Sequence, residues 1–322
     1  MNDKLLTIDV SHGTTHDGPG MRTTVFVKGC PLHCRWCQNP ESIARKNEVW
    51  WERVNCIGCG SCLDACPNHA LRADEQGIHV ERSLCAACGT CADACPAAAM
   101  VWQGQEYDME ALLKEVLRDR VYYRQFGGGV TCSGGEPLLQ YPFVTEFFRR
   151  LKEEGISTAL DTCGCVPREN LEAVLPWTDY ILYDMKLIDS DTHRDFTGAP
   201  NERILENLLY AADFVRKADH PMEIWIRTPL IPDATATVEN ITGIGTFIRD
   251  HILDVVARWE LCAFNGVCVS KYEKLGKTWA YDGMGAMSQA QIAPLRAAAL
   301  SVIPEEKLII TGMIRADQEE NT

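Results

Sequence analysis

The stretch TTVFVKGCPLHCRWC, residues 23–37, decides how the rest of the chain is read. Its first half is rich in β-branched and aromatic residues and predicts a strand over 23–28. The strand runs into a loop that holds Cys30, Cys34 and Cys37 within eight positions. Three thiolates this close can ligate three irons of a cubane cluster, which leaves the fourth iron without a protein ligand. Such an iron is a Lewis-acidic position for a small chelating molecule. A structural zinc site is the rival reading, and it would need His33 as its fourth ligand.

Outward from this loop, strand and helix alternate. Residues 110–126 predict an amphipathic helix, 129–133 a short strand entering a glycine loop, 141–154 a helix and 157–160 a strand. A helix over 168–175, a strand over 180–184, a helix over 203–217 and a strand over 223–227 follow. The pattern closes with helices at 238–250 and 289–301 and strands at 258–263 and 307–311. Strands separated by helices imply an α/β protein with a parallel sheet and right-handed crossovers. The expected strand ends carry Cys30, Gly134, Asp161, Asp184, Arg227 and Asn265. In a barrel of such units, that edge is where chemistry is built. The number of units favours a partial (β/α)6 barrel over a closed eight-stranded one. Periodicity alone leaves an open doubly wound sheet as the alternative.

The barrel pattern is interrupted by a repeat. CIGCGSCLDACP, starting at Cys56, recurs as CAACGTCADACP, starting 29 residues later at Cys85. Each is a C-x2-C-x2-C-x3-C-P run, the bacterial-ferredoxin pattern for two [4Fe–4S] clusters, in which the fourth cysteine serves the other cluster. One cluster would take Cys56, Cys59, Cys62 and Cys95, and the other Cys85, Cys88, Cys91 and Cys66. The expected organisation is a barrel over 1–47 and 105–322 with a ferredoxin-like insert over 48–104. Together with the first loop this predicts three [4Fe–4S] clusters. Of the 16 cysteines, Cys132, Cys163, Cys165, Cys262 and Cys268 remain, and ordinary buried thiols are expected there.

The spacing of Cys30, Cys34 and Cys37 is the signature of the radical S-adenosylmethionine (SAM) superfamily, and a glycine loop, GGGVTCSGGEP at 127–137, follows it in the chain. Glycine lets a backbone approach a ligand closely at a strand end. The resemblance implies that SAM chelates the open iron and that Gly134, Gly135 and Glu136 hold its amino group.

More closely, the chain resembles the ferredoxin-containing activating enzymes of glycyl radical enzymes, such as those related to pyruvate formate-lyase activating enzyme. The residues that carry this are HDGPGMR at 16–22, GCPLHCRWCQNPES at 29–42, GGGVTCSGGEPLLQ at 127–140, LDTCG at 160–164 and LYDMKLID at 182–189. FTGAPNERILEN at 196–207, IRTPLIP at 226–232 and KYEKLG at 271–276 complete the set. The resemblance implies that Asp184 and Lys186 line the SAM pocket, that Asp161, Thr162 and Asp184 can take a monovalent cation beside the SAM carboxylate, and that Arg227 contacts SAM or the partner. It also implies an activity: reductive cleavage of SAM to a 5′-deoxyadenosyl radical, which takes hydrogen from a glycine in the C-terminal loop of a large partner enzyme. A reduced flavodoxin or ferredoxin would be the electron donor. Asn265 departs from the family, in which histidine is common; asparagine can bond the nucleoside but cannot titrate near neutral pH. Two other functions stand beside this one: a radical SAM enzyme acting on a small molecule or peptide, and an iron–sulfur electron carrier.

Composition narrows the setting. The net charge of −14 and the lack of a basic stripe argue against nucleic acid. No apolar run approaches the roughly 20 residues of a spanning helix, and the N-terminus lacks a secretory apolar segment. A cytoplasmic enzyme, monomeric when it meets its partner, is expected; there thiols stay reduced, so the cysteines point to metal and not to disulfides.

Overall fold

The computed structural model describes residues 3–316. Its strands are β1 (Lys4–Thr14), β2 (Arg22–Val27), β3 (Glu48–Trp51), β4 (Leu71–Asp74), β5 (Gly77–Val80), β6 (Met100–Gln103) and β7 (Gln105–Asp108). They continue with β8 (Gly129–Gly134), β9 (Ser157–Thr162), β10 (Tyr180–Asp184), β11 (Glu223–Leu230), β12 (Val256–Ala263) and β13 (Leu308–Thr311). One nine-stranded sheet has the order β13-β12-β11-β10-β9-β8-β2-β1-β7. From β2 to β13 every neighbour is parallel, whereas β1 is antiparallel to both β2 and β7. Spatial order follows chain order, so right-handed crossovers put the intervening helices on one face.

That face carries the main core. Phe147 and Phe148 of helix Tyr141–Glu153 share it with Leu160, Ile181, Tyr183 and Trp259, all fully buried. Along each strand, alternate residues turn to the other face. There Ala159, Leu182 and Trp225 form a small apolar layer with Tyr180 against it. Below that layer lies Arg22, which has no exposed surface. Its guanidinium donates to Thr131 Oγ1 (2.7 Å), Val130 O (2.8 Å) and Ser157 O (3.1 Å) and sits 5.8 Å from the Tyr180 ring. Above it come Asp161, Asp184, Arg227 and Glu260. The inner face thus grades from a satisfied buried cation, through an apolar layer, to a charged rim at the strand C-terminal ends.

Two differences from the sequence reading have physical causes. β1 was not expected; two register shifts, between Thr7 and Asp9 and between Ser11 and Thr14, break the alternation that would reveal it. The helix expected over 110–126 is two helices, Met109–Val116 and Arg120–Phe126. At the break, the Val116 carbonyl accepts from the Tyr123 hydroxyl (2.7 Å), and Asp119 accepts from Thr23 Oγ1 (2.5 Å).

The interrupting segment pairs β3 with β6 and β4 with β5. Its core is small: Val49, Cys62, Cys91 and Met100 are its buried members. The two cysteine runs have the same local geometry. Gly60 and Gly89, which precede helices Ser61–Ala65 and Thr90–Asp93, both have φ 78° and ψ −8°. A Cβ on Gly89 would lie 1.4 Å from the Trp102 ring, so this turn requires glycine twice over. Ala70 N–H donates to Cys66 Sγ (3.3 Å) and Ala99 N–H to Cys95 Sγ (3.2 Å). No helix among the described residues is long and apolar enough to cross a membrane.

Candidate active site at the strand ends

The loop after β2 is fixed by backbone bonds on two sides. Gly29 N–H donates to Ser42 O (2.6 Å) and Cys30 N–H to Ile43 O (3.1 Å); His33 N–H donates to Thr197 O (2.7 Å) and Arg35 N–H to Phe196 O (3.0 Å). The Arg35 guanidinium also covers the Phe196 ring at 4.9 Å. The glycine loop meets this one directly. Gly135 N–H donates to Val27 O (2.9 Å) and Glu136 N–H to Gly29 O (2.7 Å). A Cβ on Gly135 would stand 2.1 Å from Gly29 O, so no larger residue allows this approach.

A cavity of about 260 Å3 opens at this junction. Cys30, Cys34 and Cys37 line it together with Gly134, Gly135, Asp161, Asp184, Lys186 and Arg227. Six separate stretches of sequence meet in its wall. Asp161 accepts from Ser133 Oγ (2.6 Å) and lies 3.4 Å from Arg227 Nη1. Asp184 Oδ2 lies 2.5 Å from Lys186 Nζ. The loop that carries Lys186 is pinned from three directions. Thr228 Oγ1 donates to Met185 O (2.8 Å), Asn240 Nδ2 to Lys186 O (3.0 Å) and Asn201 Nδ2 to Leu187 O (3.0 Å).

Electrostatics at the site are set by burial. It pushes the Cys34 thiol up to about 12 and raises Cys37 as well, with Lys186 pulling against it in both cases. Thiolates at these positions therefore require a strong local cation, which an iron–sulfur cluster supplies when it binds. The donor set fits such a group. Burial pulls the Lys186 ammonium down, but Asp184 and Cys34 outweigh it and hold it protonated.

Three expected site residues do not line the cavity. Glu136 is fully buried and its carboxylate is occupied: Oε1 accepts from Leu138 N–H (3.0 Å), Oε2 from Cys163 N–H (2.8 Å), and Thr162 Oγ1 donates to the pair (2.8 and 2.9 Å). In this arrangement the carboxylate holds residues 162–164. Thr162, its hydroxyl engaged with Glu136, is itself 2% exposed. Asn265 reaches the cysteine loop through its backbone carbonyl, which accepts from Gln38 Nε2 (3.1 Å); its side chain bonds Val267 N–H (3.3 Å). Asp17, from the HDGPG segment, accepts from Thr24 Oγ1 (2.9 Å) at the opposite end of β2.

The two cysteine tetrads of the insert fall around two separate voids. Cys56, Cys59, Cys62 and Cys95 line one of about 260 Å3, with Trp51 and Ile57. Cys66, Cys85, Cys88 and Cys91 line a narrower one of about 20 Å3, with Val49 and Leu71. Each void thus draws three cysteines from one run and one from the other. Among the described residues, no three His, Cys, Asp or Glu side chains are arranged to hold a single metal ion.

The radical SAM superfamily matches residues 24–241. The chain belongs to that superfamily. As a radical SAM protein it is 38% identical over 294 residues to the trans-4-hydroxy-L-proline dehydratase activating enzyme of Clostridioides difficile, covering 90% of this chain and 94% of that one. It is equally 38% identical over 299 residues to the indoleacetate decarboxylase activating enzyme of Tractidigestivibacter scatoligenes, covering 90% and 92%. These relatives place it among the activating enzymes of glycyl radical enzymes. A radical SAM methyltransferase from Sphaerobacter thermophilus shares the fold, with a TM-score of 0.51 at 13% identity over 95% of this chain and 72% of that one.

Among the wall residues of this radical SAM site that the sequence reading missed are two cysteines. Cys163 and Cys262, set aside as ordinary thiols, both line the cavity. Cys163 hydrogen-bonds to Cys30, which pulls the Cys30 thiol below its ordinary value against the effect of burial. The alternation of β12 could have flagged Cys262, since it shares a face with Arg258 and Glu260.

Proposed function

We propose that this chain activates a glycyl radical enzyme. The observation that carries the proposal is the meeting of Cys30, Cys34 and Cys37 with Gly134, Asp161, Asp184, Lys186 and Arg227 around one cavity, in a chain whose relatives are activating enzymes. When a [4Fe–4S] cluster and SAM are bound, the cluster supplies the electron that cleaves SAM into methionine and a 5′-deoxyadenosyl radical, which takes hydrogen from the partner's glycine. The three cysteines hold the cluster. The backbone of Gly134 and Gly135 offers carbonyls to the SAM amino group, while Glu136 acts one step back by fixing Thr162 and Cys163. Lys186 and Arg227 present cations to the SAM carboxylate, and Asp161 and Asp184 keep those cations aimed into the cavity. A monovalent cation among Asp161, Thr162 and Asp184 would compete with Lys186 for Asp184. Asn265 steadies the cysteine loop through Gln38.

The larger architecture in this proposal is a partial (β/α)6 barrel over 1–47 and 105–322 with a ferredoxin-like insert over 48–104. The insert's two tetrads would hold two further [4Fe–4S] clusters, three in all, which would supply a path for an electron from a reduced flavodoxin or ferredoxin. The chain works as a cytoplasmic monomer on the C-terminal glycine loop of its partner. Equal identity to a dehydratase activator and a decarboxylase activator leaves the partner's own reaction open to assay. The test is Cys34→Ala in anaerobically reconstituted protein. Loss of about four irons per chain together with loss of 5′-deoxyadenosine formation is expected. Continued cleavage of SAM by this variant would refute the cluster assignment.

A further inference from the structure

The motif KYEKLG at 271–276 has no part in the cavity, yet its short helix, Val269–Lys274, touches both iron–sulfur regions. A six-residue helix has little stability of its own, so its contacts hold it in place. On one side it grips the cysteine loop. Lys271 Nζ lies 2.7 Å from Asn39 Oδ1 and 2.7 Å from Glu41 Oε1, and Tyr272 OH donates to Cys37 O (3.0 Å). On the other side it grips the insert. Lys274 Nζ pairs with Glu52 Oε1 at 2.7 Å and lies 5.2 Å from the buried Trp50 ring. The Lys274 carbonyl accepts from Arg82 Nη2 (3.4 Å), whose Nη1 donates to Val49 O (2.8 Å).

Val49 lines the void of the second tetrad, and Arg82 stands three residues before Cys85. The chain of contacts therefore runs from the second tetrad through Val49 and Arg82 to Lys274, then through Tyr272 to Cys37. The first tetrad lies beside Trp51, farther along β3, with Ile57 69% exposed and Cys59 exposed beside it. A second attachment, Lys28 Nζ to Glu48 Oε2 at 2.9 Å, anchors the start of β3 but touches neither tetrad.

We propose that helix Val269–Lys274 is the clasp that fixes the insert against the cysteine loop, with Lys274 as the positioning residue for electron delivery from the second tetrad to the cluster at Cys30, Cys34 and Cys37. This rests on the relay reading above. The step is a one-electron transfer: a reduced protein donor loses one electron at the exposed first tetrad, and the cluster of the loop gains one, with no bond or proton moved. Electron transfer falls steeply with distance, so a loosened clasp slows delivery without altering the site that receives the electron.

The test uses fully reconstituted Lys274→Ala, Lys274→Arg and Cys85→Ser proteins. Loss of a partly buried ion pair and a cation–π contact should raise amide exchange at 49–52 and 82–85 by roughly fivefold or more in Lys274→Ala. Freeze-quench EPR of the SAM-bound cluster should show slower reduction by reduced flavodoxin in that variant. Reduction by photoreduced 5-deazaflavin should stay at the parent rate, iron content should be unchanged, and Lys274→Arg should restore delivery. Parent-like flavodoxin rates in Lys274→Ala alongside slowed Cys85→Ser would overturn the clasp and leave the relay standing. Parent-like rates in Cys85→Ser as well would overturn the relay and the clasp with it. Equal slowing with both reductants would place the defect in the receiving site and also overturn the proposal.

Discussion

Glu136→Gln separates two accounts of the glycine loop. The substitution keeps the shape of the side chain but replaces one carboxylate oxygen by an amide group. Both oxygens now accept from backbone N–H groups, those of Leu138 and Cys163. Whichever way the glutamine turns, its NH2 faces one of those donors. The loss is one hydrogen bond to a charged acceptor, about 1.5–3 kcal/mol, plus a buried N–H left unpaired, about 1–3 kcal/mol. Part of this overlaps, so a net loss of about 2–4 kcal/mol is expected. Burial raises the Glu136 carboxyl while the surrounding donors oppose the rise, and a neutral amide escapes the cost of burying charge, which trims the loss toward the lower figure. For a chain of this size the apoprotein midpoint should fall by about 4–8 °C in a thermal scan. SAM affinity should fall with it, because residues 162–164 loosen. A variant with parent-like melting that has lost only SAM binding would refute this reasoning and return Glu136 to direct contact with the ammonium.

Three further outcomes follow from particular residues. Gly89→Ala places a methyl inside the Trp102 ring at a positive φ, so under the three-cluster proposal iron should fall from about twelve per chain toward about four by colorimetric assay, with 5′-deoxyadenosine formation still driven by a chemical reductant; parent-like iron would refute it. Arg22→Met orphans the carbonyls of Val130 and Ser157 in a fully buried position, and should cost about 3–5 kcal/mol in urea denaturation of the apoprotein. Burial pushes the Asp161 carboxyl up to about 7 even against the pull of Arg227. The folded chain thus binds that proton more tightly than the unfolded chain, and stability contributed by the proton is lost as pH rises from about 4 to about 7. Asp161→Asn removes this slope, so its stability relative to the parent should be about 2 kcal/mol more favourable at pH 8 than at pH 5, and a pH-independent difference would contradict the raised carboxyl.

What could be read in the sequence was local. Cysteine spacing is a property of a few consecutive residues, and both Cys30-Cys34-Cys37 and the paired runs at Cys56 and Cys85 declare themselves that way. The strands from 129 to 263 were equally legible, because short stretches with β-branched and aromatic residues alternate with helical patterns. What escaped depends on contacts distant in sequence. Glu136 looks like a free carboxylate until β9 brings Thr162 and Cys163 to it, 26 and 27 positions away. Cys163 and Cys262 are indistinguishable from core thiols until the sheet turns them toward the cavity. The short helix at 269–274 has too few turns for a periodic signal, and its partners lie about 190 to 235 positions off. β1, broken twice in register, lacks the alternation that marks a strand.

Hydrogen abstraction from a partner glycine is the step on which the proposed function turns. The most direct measurement is anaerobic turnover of the reduced holoenzyme with SAM and a glycine-loop peptide deuterated at the glycine α-carbon. 5′-Deoxyadenosine should carry deuterium by mass spectrometry, with a glycyl radical signal in EPR that Cys34→Ala abolishes. 5′-Deoxyadenosine free of deuterium, with the label retained in glycine loops from every candidate partner, would contradict it.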